Sequence, residues 1–343
     1  MSYTIGMQAI NLEMPWRVGH TEYCSHPLLV KAVTGRDPRE DPCAWQQFYD
    51  TAGYDFHWVT NDGPGWQGRQ TSMGHAEFQQ DGVDFNPNVF CPFETPEDVL
   101  GFDPIAEYGL PDISERAAFF EEFHRAGQAA NPGQVFTGGY YKTIVSACIQ
   151  AFGWEMFLAA AGTDHERFDR VLEGFFQISL ANIRAWARTS APVFISHDDM
   201  VWTEGAIFHP DWYRRYVFPR YEKLWRPLKE ARKKVLFCSD GDFTEFVDDI
   251  ASAGADGFIF EPLTDLRYIT ERYGRTHVII GNADTRALTF GGRDDVRREV
   301  ERCMTLGKPC PGYFIAVGNH IPPNVPVDNA LYYLDLVQRL GRR

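Results

Sequence analysis

The chain has 343 residues, 44% of them hydrophobic and 23% charged, with a formal net charge of −14. That composition excludes global disorder and supplies enough apolar side chains for the core of one large α/β domain. The acidity disfavours contact with phosphate backbones, so nucleic acid is not an expected partner, and it suits a soluble cytoplasmic protein.

The first twenty residues, MSYTIGMQAINLEMPWRVGH, lack a basic stretch followed by an apolar one, so no secretory leader is expected. The segment up to about residue 50 reads as an N-terminal extension, within which EMPWRVGHTEYCSHPLL (13–29) carries His20, Glu22 and His26. From about residue 55 short apolar runs end in polar or glycine residues and give way to amphipathic stretches. The runs are DFHWVTNDG (55–63), VFTGGYY (135–141), VFISHDD (193–199), KVLFCSDGD (234–242), GFIFEP (257–262), VIIGNAD (278–284) and GYFIAVGNH (312–320).

Between them, 165–188 places Phe168, Val171, Leu172, Phe175 and Ile178 on one helical face. The stretch 294–307 begins at Asp294 as an N-cap and ends on glycine, and 243–254 also ends on glycine. The most apolar window, 143–162, contains Gln150 and Glu155 and is read as a buried helix, not a membrane span. Seven cysteines, odd in number and without a CxxC pair, are expected to be reduced.

Repeated strand–helix units with near-continuous apolar strands predict a parallel sheet covered on both faces, and seven or eight of them favour a (β/α)8 barrel over 1–343. A doubly wound open sheet is the alternative, and no GxGxxG supports it. In a barrel the strand C-termini share one cavity. Asp62, Tyr140, His197, Asp198, Asp199, Cys238, Asp240, Glu261, Asn282, Asp284, Asn319 and His320 would then ring it. Asp242 and Asp284 are equally well explained as helix caps, and Cys238 as a small buried hydrophobe. Cys238, Asp240 and His320 form a mixed donor set that zinc tolerates. His197 lies beside two aspartates that can orient an imidazole.

With these residues assembled, the chain resembles the uroporphyrinogen decarboxylase superfamily, which includes cobalamin-dependent methyltransferases. The resemblance rests on 194–225, 235–262, VIIGNAD and GYFIAVGNHIPPNVPVDNA (312–330). It implies a (β/α)8 barrel, a cleft at the strand C-termini and a homodimer. It also implies that the segment at 13–29 packs over the cleft or the subunit contact. In the methyltransferase His-x-Cys-Gly zinc motif, Cys238 takes the histidine position, Asp240 the cysteine position, and Gly241 matches. Where a third thiolate follows a glycine, Gly318 is followed by Asn319 and His320. The decarboxylase aspartate corresponds to Asp62 in DFHWVTND, whereas the arginine-rich N-terminal segment is replaced by one with Arg17 as its only strong base, and the decarboxylase tyrosine position is Ser146.

The reading that follows is a methyltransferase-type enzyme acting on a small methylated compound or with a corrinoid carried on a partner protein. Asp62, His197, Asp199 and Glu261 are the candidate catalytic groups. Trp58, Tyr140, Asn282 and Asn319 are candidate substrate contacts, and Cys238, Asp240 and His320 candidate zinc ligands. The alternatives are a decarboxylase or other lyase using Asp62, and a non-catalytic barrel that binds a ligand through its aromatics, which form 15% of the chain.

Overall fold

The computed structural model describes residues 2–71 and 90–343, together with a short pairing of 77–78 with 84–85. Eight parallel strands close a barrel. They are β1 (Gly19–His20), β2 (Phe56–His57), β3 (Val135–Phe136 continued by Gly138–Tyr140), β4 (Val193–His197), β5 (Lys234–Ser239), β6 (Gly257–Phe260), β7 (Val278–Ile280) and β8 (Tyr313–Ile315). Strands β3 to β8 pair in chain order, β8 pairs with β1, and β2 pairs with the first part of β3. The Asp55 N–H donates to the His20 carbonyl at 2.8 Å and Thr21 Oγ1 to the Phe56 carbonyl at 2.7 Å, which joins β1 to β2.

Alternation along the strands divides the core in two. One face of each strand feeds the barrel interior: Phe56, Val135, Val193, Ile195, Leu236, Cys238, Ile259, Val278, Ile280 and Phe314. The other face packs against the surrounding helices through residues such as Phe194, Val235, Phe237 and Phe258. An N-terminal helix, α1 (Ser2–Ile10), inserts Ala9 and Ile10 into the interior cluster and seals the end opposite the strand C-termini. Helix Val145–Thr163 is long and apolar enough to cross a membrane by length and composition. It is nevertheless broken at Gly153 (φ 69°), and Val145, Ile149, Phe152 and Phe157 are buried in the core, as expected for this window.

Three expectations change. The seven apolar runs leave the eighth strand unidentified, and it lies inside the segment read as an extension. Gly19–His20 is too short to make an apolar run, so periodicity cannot reveal it. The residues around it face the fold's own core. Glu22 accepts from Tyr333 OH at 2.5 Å and Val317 N–H at 2.7 Å and lies 3.1 Å from His20 Nε2. His26 caps helix Pro27–Thr34 through Leu29 N–H at 3.2 Å, and its Nε2 is 2.7 Å from the Val325 carbonyl. All three are buried within one chain, so they are neither substrate contacts nor an exposed interface. The N-cap expected at Asp294 is instead Gly292, two residues earlier, with the helix running Arg293–Gly307 and the Gly292 N–H donating to Asp295.

Lys233 ends the turn into β5. Its Nζ donates to the Thr189 and Ala191 carbonyls at 2.6 Å each, and burial pushes its pKa down from 10.5 to about 8. A cation with a depressed folded-state pKa costs stability while charged, and the cost disappears as pH rises from about 8 through 10.5. In urea unfolding at stepped pH, the wild type should gain stability over that interval relative to Lys233→Met. Parallel pH curves for the two proteins would contradict it.

Candidate active site

The strand alternation that fills the barrel interior also aims the polar ends. On β4, Val193 and Ile195 point inward, and the next inward positions are His197 and Asp199. On β5, Leu236 and Cys238 are followed by Asp240, and on β6 Ile259 is followed by Glu261. Three adjacent strands thus deliver acids and an imidazole to one rim.

His197 Nε2 lies 3.1 Å from Asp199 Oδ1, which also accepts the Asp240 N–H at 3.1 Å. Tyr141 OH donates to Asp199 Oδ2 at 2.6 Å, and the Asp199 N–H donates to Ser146 Oγ at 2.8 Å. One nitrogen of His197 and one oxygen each of Asp199 and Asp240 lie within 4.8 Å of one another.

Beside this group is a cleft with about 370 Å³ of empty space, open to solvent. Its polar lining comes from Tyr23, Cys238, Asp240, Glu261 and Asn319, with Trp58 as an aromatic wall. No Lys, Arg or His is among the described residues lining it.

The charges are interdependent. Burial opposes ionisation of Asp199, but His197 and Tyr141 outweigh it and hold the carboxyl down at about 2. Burial also opposes a charged His197, yet the adjoining Cys238 and Asp199 keep its pKa well above 6.5. Burial, then the neighbouring Asp199 and Glu261, push Asp240 up to about 7. Burial raises the Cys238 thiol, against the lowering pull of the adjoining His197. The rim therefore pairs an ionised carboxylate with a cationic imidazole and adds a carboxyl that exchanges its proton near neutrality.

The expected residues fall into three places. Trp58, Cys238, Asp240, Glu261 and Asn319 line the cleft, with Glu261 Oε2 accepting the Gly241 N–H at 2.9 Å and Asn319 Nδ2 donating to Asp240 Oδ2 at 3.3 Å. His197 and Asp199 stand at its side. Asp62 closes the end of β2, its Oδ1 accepting the Tyr141 N–H at 2.7 Å, and burial raises its carboxyl.

Tyr140 and Asn282 do not reach the cleft. Tyr140 is on the outward face of β3 and fully buried against the helices, with Asn182 Nδ2 donating to its OH at 3.3 Å. Asn282 follows Gly281 (φ 141°), where the alternation ends. Its amide pins the Glu261 and Thr264 carbonyls and accepts from Arg302. The expected metal set also changes. His320 sits behind Asn319, its Nδ1 2.6 Å from Asn319 Oδ1, and burial lowers its pKa to about 4. His197 and Asp199 take the places given to Cys238 and His320 in the donor group around Asp240. Asp284 caps helix Thr285–Phe290 through the Arg286 N–H, as expected, whereas Asp242 accepts the Thr244 N–H from one residue ahead of the N-cap, Phe243.

Tyr141 and Tyr23 are site residues that sequence reasoning does not single out, and Ser146 enters it only as the position of the decarboxylase tyrosine. The signal for Tyr141 is nonetheless present: counting by twos from the inward Val135 reaches 141, not 140.

A family model described as uroporphyrinogen decarboxylase matches residues 86–340. The uroporphyrinogen decarboxylase of Syntrophotalea carbinolica is 28% identical over 206 residues, which cover 59% of this chain and 58% of that protein. A uroporphyrinogen decarboxylase of Thermus thermophilus is 29% identical over 172 residues, covering 50% of this chain and 48% of that protein. The chain thus spans between 48% and 58% of the length of these two relatives. Among solved structures, a methyltransferase from Methanosarcina mazei superposes with a TM-score of 0.64 at 16% identity, covering 98% of both chains. That likeness shows a shared fold.

Proposed function

The chain belongs to the uroporphyrinogen decarboxylase family, and from that premise we propose that it is a methyltransferase-type enzyme acting on a small methylated compound at the barrel mouth, with a corrinoid carried by a partner protein. The observation that carries this reading is the donor group of His197, Asp199 and Asp240 beside an acid-lined cleft without a basic side chain among its described lining residues. A porphyrinogen bearing many carboxylates would meet like charge there, and burying like charges uncompensated is costly.

One imidazole and two carboxylates fit a divalent cation. A thiolate zinc site does not fit, because the two thiolate positions of the methyltransferase motif carry Asp240 and Asn319. A bound cation would supply Lewis-acid polarisation of the substrate or activation of a nucleophile.

The side chains have separable tasks. Asp199 orients His197 and charges it in the metal-free protein, where a bound cation would take the place of the proton. Tyr141 and the Asp240 N–H hold Asp199 in place. Asp240, poised at about 7, takes or gives a proton near neutral pH. Trp58 and Tyr23 wall the cleft, their rings edge to face at 6.1 Å.

Metal-replete wild-type protein, purified without a histidine tag, should hold about one divalent ion per chain, and His197→Ala and Asp240→Ala should each lose it. The wild type should also transfer methyl groups between methylcobalamin and a small thiol or methoxy compound. Replete protein free of metal and inactive in that assay would refute the proposal.

A carboxy-lyase is the second reading, favoured by one observation. Asp62 accepts the Tyr141 N–H at 2.7 Å, a bond that favours its ionised form and suits a group that stabilises a protonated intermediate. An Asp62→Asn variant with full activity on an identified carboxylated substrate would eliminate it.

A further inference from the structure

A second pocket lies outside the barrel, between the loop after β2 and helix His165–Ala187. It holds about 550 Å³ of empty space and is lined by Asp62, Trp66, Tyr108, Arg116, Ile178 and Asn182, among others.

Three features there are unexplained by the fold. Asn182 is 3% exposed, and its Oδ1 has no hydrogen-bond partner. Its orientation is fixed, because Nδ2 donates to the Ile178 carbonyl at 3.0 Å and to Tyr140 OH at 3.3 Å. A buried acceptor left unpaired is costly, so the site is built for a donor. Second, Asp62 and Arg116 line the same pocket with opposite charges, yet no ion pair joins them; Arg116 Nη1 donates instead to the Asp62 backbone carbonyl at 3.3 Å. Third, the wall is rigid. Trp66 stacks on Tyr108 with centroids 4.4 Å apart, and Lys142 Nζ lies 4.7 Å from the Trp66 centroid.

We propose that this pocket is a second small-molecule site that takes a zwitterionic amino acid. The ammonium donates to Asn182 Oδ1 and the Asp62 carboxylate, the carboxylate accepts from Arg116, and the side chain packs on the Trp66–Tyr108 wall. Asp62 reaches the catalytic rim through the Tyr141 N–H, and Tyr141 OH reaches Asp199, so occupancy is sensed there.

Ligand-observed NMR on the full chain tests this, with the standard free amino acids as probes. For each hit, the decarboxylated amine and the N-acetyl derivative serve as comparisons. The expected result is binding by one or more amino acids, weakened about tenfold or more by Asn182→Leu and by Arg116→Met. Asp240→Asn should leave that binding unchanged, and both comparison compounds should lose it. The proposal is overturned if no amino acid binds, if Arg116→Met binds as tightly as wild type, or if simple carboxylates bind equally well, which would mark an anion site only. Should Asn182→Leu fail to fold, Arg116→Met and the comparison compounds decide the matter.

Discussion

Replacing Asp198 by alanine is expected to lower the unfolding free energy by about 3–5 kcal/mol in urea titration. Asp198 is fully buried and lies on the outward side of the strand end that presents His197 and Asp199 to the cleft. Its carboxylate accepts from Ile144, Val145 and Ser146 N–H groups at 3.2, 3.2 and 2.6 Å and from Tyr221 OH at 2.6 Å. Three of these donors belong to the start of helix Val145–Thr163, whose own N-cap residue, Ile144, provides no side-chain cap. Asp198 therefore caps that helix from another strand, placing an anion where the helix dipole favours one.

Alanine leaves these donors buried without an acceptor, at about 1–3 kcal/mol each before relaxation. The same contact fixes Ser146, whose Oγ accepts the Asp199 N–H, so the substitution should also loosen the catalytic rim. A loss below about 1 kcal/mol would mean that solvent or a rearranged loop replaces the cap.

The barrel was legible because most of its strands are apolar on both faces and end in conspicuous polar residues. What escaped had a physical reason in each case. The two-residue strand β1 carries glycine and histidine and leaves no hydrophobic signature. The step from Tyr140 to Tyr141 is a matter of register: a Cβ on Gly138 would meet the Trp186 ring on the helix side, whereas one on Gly139 would meet Thr60 and the backbone of the neighbouring loop. Two adjacent tyrosines look alike in sequence until that parity is counted. Asn282 follows the parity of Ile280, but the chain turns at Gly281 and aims its amide at neighbouring loops. Cys238 and Asp240 did fall on one face, as their spacing implies. The partners of Asp240 come from β4 instead of the β8 end, because neighbouring strands bring His197 and Asp199 to it while His320 lies behind Asn319.

The largest effect on chemistry is expected from Asp199→Asn, which should reduce turnover about 10²–10⁴-fold while leaving the fold intact. The substitution is nearly isosteric, and the asparagine carbonyl still accepts the Asp240 N–H. What it removes is the charge. In the metal-free wild type the adjoining Cys238 and Asp199, the latter 3.1 Å away, outweigh the penalty of burial and raise the His197 pKa. Without that carboxylate the imidazole loses one of the two neighbours that raise it, and its pKa should fall. The sign for stability follows from the raised folded-state value. The His197–Asp199 pair contributes fully below pH 6.5 and is lost as pH rises through the folded pKa, so the variant should lack that acid-side contribution. NMR titration of the His197 ring separates this from a general disturbance: its midpoint should move down. An unchanged His197 midpoint would show that Asp199 is not its counter-charge, and the assignment of Asp199 as the residue that orients and charges the imidazole would fall with it.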